Sequence, residues 1–205
     1  DNLPGGCVKK LLVTRTSEVL QPLRALIEEQ KHRTLVLWAI DCGARVLPIF
    51  ENAYPHDVRP RAALDAALDW AHGDIKMPVA RRAAIGAHNA ASAVADNRAA
   101  CAAARTMGHV VGTVHVETHA IGVPSYGLTA FAYAATERPA ADVIAEELQW
   151  QYDRLLYWQA HIDSLDGLWA PFLLRDDLPN KEKLMRLKME QKQAGAAPRP
   201  KPKPW

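Results

Sequence analysis

From Ser17 onward the apolar positions of the chain recur at helical spacing, and strand-like alternation is missing. Only Val8–Thr14 could run extended, as a short strand or an arm, and no partner strand follows it. Ser17 stands where an N-cap belongs, ahead of the stripe Leu20, Leu23 and Ile27. Residues 34–52 are apolar on nearly every side, which predicts a central helix surrounded by others. Pro60 opens a helix to His72 that Gly73 stops, and Pro78 precedes an alanine-rich helix ending near Asn97. The next helix starts near Arg98 and runs through Val110, Val111 and Val114, with a break expected at Gly122–Pro124. Tyr126–Ala135 and a long segment from Pro139 to Ile162 complete about six core helices. The pattern predicts an all-α, single-domain bundle, alanine-rich so that helix axes approach closely.

The ends differ from this core. Residues 1–16 read as an N-terminal arm and 17–163 as the bundle. Ser164–Leu174, with Gly167, Trp169, Pro171 and Phe172, reads as a segment wrapping over the core. Asn180–Gln193 reads as an exposed amphipathic helix with Leu184, Leu187 and Met189 on one side. The Pro/Lys tail 194–205 is expected to be disordered.

Composition changes this picture little. The formal net charge is +2 over 205 residues, too small for phosphate-backbone binding, so no nucleic-acid partner is expected. No apolar run is long enough to span a bilayer. Three cysteines (Cys7, Cys42, Cys101) make an odd count without metal-ligand spacing, which favours free thiols and a cytoplasmic setting.

Chemistry concentrates on one stripe. Gly108, Gly112, His115, His119, Gly122 and Tyr126 alternate by four and three and would share a face of a continuous helix. His115 and His119 at i, i+4 can then converge on one point. The plainer reading makes them hydrogen-bonding residues that hold helices together. The functional reading makes them a ligand or proton-transfer site, with glycines leaving room. A metal is not expected, because HxxxH alone lacks a third ligand, and no cofactor motif is present. Asp41 is the one acid in its apolar helix before Glu51, and Arg45 four residues on could pair with it. Asp41 could instead orient a histidine. His88 sits among alanines, and Arg59 and Arg61 flank Pro60 within reach of the Asp41 notch.

These residues fall in stretches that resemble a known family. They are LWAIDC at 37–42, DVRPR at 57–61 with ALDW at 67–70, ARRAAIGAH at 80–88, GHVVGTVH at 108–115 and HAIG at 119–122. In this order, over roughly residues 30 to 135, they are similar to the Imm-five-like immunity proteins, small helical proteins. The resemblance implies an α-helical fold with Asp41, Arg61, His88, His115 and His119 as a polar signature. It also implies a toxin-like protein partner. Pro124 and the Trp-rich, then basic, C-terminal extension depart from the family pattern.

Two functions follow as expectations. The first is a binding protein docking a protein partner, with the Asp/Arg/His cluster as internal structure. The second is a ligand-binding protein or enzyme acting on an apolar small molecule. It would use His115, His119 and Asp41 for acid–base chemistry, with His88, Arg61, Gly112, Gly122 and Tyr126 binding. A cavity reached from solvent favours the second, and a sealed cluster the first. The sequence sets no oligomeric state.

Overall fold

The computed structural model describes residues 11–194, so the start of the arm and nearly all of the Pro/Lys tail lie outside the described residues. Among the described residues there are eight α-helices and no strand. They are α1 (Gln21–Glu28), α2 (His32–Glu51), α3 (Arg59–His72), α4 (Met77–Ala93), α5 (Arg98–His115), α6 (Gly122–Ala134), α7 (Ala140–His161) and α8 (Lys181–Ala194). The all-α architecture is the one the apolar spacing predicts.

The helix ends follow local chemistry. Gly73 takes φ 90°, a left-handed C-cap that releases α3 into the next loop. Asn97 caps α5, its Oδ1 accepting from the Ala100 amide at 3.1 Å. Ser17 departs from its expected role: it leads a 3-10 turn at Glu18–Leu20, and its Oγ accepts from the Thr14 amide instead.

Helix α5 is the hub, packed against α2, α3, α4 and α6. Its sequence explains this, because Ala100, Ala102, Ala103 and Ala104 are fully buried and let four helices approach. Helix α2 is buried on most sides through Leu35, Val36, Trp38, Val46, Leu47 and Phe50. Helix α7 closes the far side of α2 and α6. Cys42 is a buried free thiol whose pKa burial pushes well up. Cys101 is disulfide-bonded, so the expectation of free thiols fails there and gives no support to a reducing compartment.

The expected single helix through residues 98–122 ends early. Val116 is extended (φ −160°, ψ 141°), a 3-10 turn follows at Glu117–His119, and α6 starts at Gly122. The Thr113 carbonyl, which a continued helix would offer to the amide four residues on, meets His32 Nε2 at 2.6 Å. Pro124 sits in the first turn of α6, where its missing N–H costs nothing.

The C-terminal segment touches the core at defined points. The Ala170 amide donates to the Ala71 carbonyl at 2.8 Å, and Leu173 is buried. Helix α8 lies against α1 by its polar side: Glu182 is fully buried facing Arg15 and Arg24, both at 3.3 Å. Leu184, Leu187 and Met189 remain exposed, so the charged side forms the seat and the apolar side faces out. No described helix is long and apolar enough to cross a membrane.

Candidate functional site

Three glycines on α5 and α6 make slots, and each slot holds an imidazole. A Cβ on Gly108 would lie 2.3 Å from the His88 ring, and one on Gly112 2.6 Å from the His119 ring. A Cβ on Gly122 would lie 2.1 Å from the His109 ring. The glycines were expected to leave room for a ligand; the space over each holds a histidine.

The rings form a row. His109 lies 6.2 Å from His88, edge-on, and 5.8 Å from His119. Tyr126 stacks on His109 at 5.0 Å and 23°. His115, the last residue of α5, stacks instead on Trp70 at 6.1 Å and 18°, and Trp70 meets Phe172 of the C-terminal segment at 5.7 Å. His115 and His119 are therefore neighbours across the break at Val116, not i, i+4 residues of one helix.

Burial dominates the electrostatics of the row. It pushes His109 down to about 3, with further lowering by His119, His88 and Arg105. Burial, then Arg105 and His119, pushes His88 down to about 4. His119 is also lowered, by burial, His115 and Arg15. At neutral pH these three rings are uncharged. Arg105 Nη1 lies 3.4 Å from His88 Nδ1; since arginine only donates, Nδ1 accepts and the proton sits on Nε2. His109 Nδ1 is buried without a hydrogen-bond partner among the described residues.

A half-open cavity of about 370 Å³ lies against this row. Trp70, Met77, Ala84 and Val111 give its apolar wall, and Gly108 and Gly112 belong to its α5 side. Its polar lining is Arg81, His88, His115 and His119. No carboxylate among the described residues lines it. His119 also borders a second cavity, of about 380 Å³, with Arg15, His109, Gly122 and Tyr126.

Two residues expected in the cluster lie elsewhere. Asp41 Oδ2 accepts from Arg154 Nε at 2.6 Å and from Trp158 Nε1 at 2.5 Å, so it faces α7 and not a histidine. The notch closes with Arg154 and Trp158 of α7 because α2 packs against both α5 and α7. Arg45 likewise pairs with Glu147 at 2.7 Å rather than with Asp41. Arg61 is an exposed cation holding Glu51 at 2.9 Å. His109 is the member that stripe reasoning passes over, because it lies one position off the face of Gly108 and Gly112. Its signal was the dipeptide Gly108–His109 together with a distant Gly122.

The row supplies neutral hydrogen-bonding edges and stacking faces, without an acid to orient a ring for proton transfer. Among the described residues no group of three or more histidines, cysteines or acids is placed to hold a metal.

No curated protein and no solved structure matches the chain. A family model does, over residues 25–157, which takes in α2 to α6, most of α7 and all four histidines of the row and cavity. With most of its length matched, this chain belongs to the Imm-5 like putative immunity protein family.

Proposed function

We propose that the chain is an immunity-type binding protein that docks a protein partner through the face around the cavity mouth. Family membership suggests the partner, and the surface supports its placement. Met77 at the cavity, Ile85 one turn after Arg81 on α4 and Phe172 against Trp70 are exposed at 44%, 47% and 41%, large apolar side chains open to a partner. Arg81 lines the cavity and Arg82 follows it on α4, both exposed and without an ion pair among the described residues. Exposed apolar side chains with unpaired arginines suit an acidic and apolar partner surface, since Arg and large apolar anchors dominate interface energy. The observation that carries the reading is this apolar–basic face, whose α4 residues fall within the matched region.

The test is co-expression with each candidate toxin of the source genome, scored by growth and by co-elution in size-exclusion chromatography. Protection and a stable complex are expected, both lost in the Arg81→Glu/Ile85→Asp double variant. Asp41→Asn, on the opposite side of α2, should keep both. Protection unaffected by the double variant would remove this face from the interface.

A second reading, a small-molecule site, is favoured by the cavity's opening to solvent. It would use His88, His115, His119 and Gly112 directly, while Gly122 and Tyr126 act through His109. Asp41 and Arg61 have no part in it, because their carboxylate and guanidinium are engaged elsewhere.

A further inference from the structure

The cavity has a chemistry that partner docking does not require. Arg45, Arg59, Arg61, Arg154 and Arg186 each hold a carboxylate at 2.9 Å or closer. Arg81 lines the cavity and makes no such pair among the described residues. Its polar neighbours there are imidazoles, uncharged in His88 and His119, and a second cation, Arg105, touches His88 from outside the lining. The polar lining thus carries positive charge and hydrogen-bonding rings with no acid to balance them. An anion inside would gain Arg81 as a charge-assisted donor and offset the positive charge of Arg105 and Arg15 that adds to burial in lowering the rings.

The rest of the lining selects shape. The Trp70–His115 stack offers a flat aromatic face, and Met77 and Val111 continue it as apolar wall. A volume of about 370 Å³ lies at the small end of the ~300–1,000 Å³ typical of ligand sites. We infer that the cavity binds a small aromatic carboxylate, its ring against Trp70 and Val111 and its carboxylate toward Arg81. This inference stands apart from the docking reading, since neither requires the other.

Isothermal titration of the full chain with indole-3-acetate, and with the uncharged indole-3-acetamide, tests it. The acid should bind at least about tenfold more tightly than the amide, the margin expected of one charge-assisted contact. Arg81→Gln should erase that difference while leaving weak binding of both compounds. Ala84→Leu, which fills the cavity, should abolish both. Arg81 is exposed, so its variant keeps the test decisive if Ala84→Leu fails to fold. Histidine NMR gives an independent readout: the bound acid should raise the pKa of His88 and His119, and the amide should not. Equal affinity for acid and amide, an unchanged preference in Arg81→Gln, or no heat at millimolar concentrations would each overturn the inference.

Discussion

The two sides of α2 and α5 treat polar groups in opposite ways. Toward α7 and α8 acids meet cations: Asp41 has Arg154, Glu147 has Arg45, and Glu28 and Glu182 share Arg15, Arg24 and Arg186, with the buried Glu117 as the exception. Toward α4 and α6 the polar groups are imidazoles without acids, seated in glycine slots and kept neutral by burial. The first side shows charges closed among themselves, as structural ion pairs are. The second leaves a cavity, an unpaired arginine and rings with free hydrogen-bonding edges. Polar residues that close on each other hold the fold; those left open to a cavity can meet something else.

Acid should separate the two sides most strongly. The folded pKa of His109 is about 3 and that of His88 about 4, against 6.5 in the unfolded chain. The unfolded chain therefore binds more protons, and stability present above pH 6.5 is lost as pH falls toward 4. Each such ring contributes a slope of up to about 1.4 kcal/mol per pH unit. Urea titrations at pH 7, 6 and 5 should show this loss, and His109→Phe should flatten it. A His109→Phe slope equal to that of the wild type would break the contrast.

A steric change should come next. Gly122→Ala forces a methyl against the His109 ring and should cost about 1–3 kcal/mol, read as a lowered midpoint in urea. Adding His109→Ala should restore part of that loss, because the two changes share one contact. Additive losses would mean the slot does not hold the ring.

On the paired side, Asp41→Asn removes the charge from contacts to Arg154 and Trp158, both partly exposed, and should cost about 1–2 kcal/mol. Indole-3-acetate binding should not change. Arg45→Ala should cost least, about 0–1 kcal/mol, since its pair with Glu147 lies at the surface. A larger loss there would show the stacking of Arg45 over Trp150 to matter more than the charge.

Helix positions were legible because they depend on local chemistry. Pro60, Gly73 and Pro78 each act within one turn of where they stand, whereas Asn97, expected to end α4, caps α5 instead and α4 stops at Ala93. The early end of α5 was not legible, since the residue meeting the Thr113 carbonyl is His32, 81 positions away. The same limit governs the candidate site. The glycine–histidine stripe was visible and set His115, His119 and Tyr126 on one face, while His88 joined them only through the resemblance. The pairing of Gly122 with His109 depends on the turn at Val116, and the capture of Asp41 on how α7 lies against α2. Helical periodicity carries neither.

The neutral row of imidazoles is tested most directly by following the histidine ¹³Cε1 resonances of the full chain as pH is lowered from 8. His109 and His88 are expected to keep neutral-form shifts at pH 5, without the inflection near 6.5 of a free imidazole. Titration of His109 with a midpoint near 6.5 in the folded chain would contradict the account of these rings as held neutral in their glycine slots.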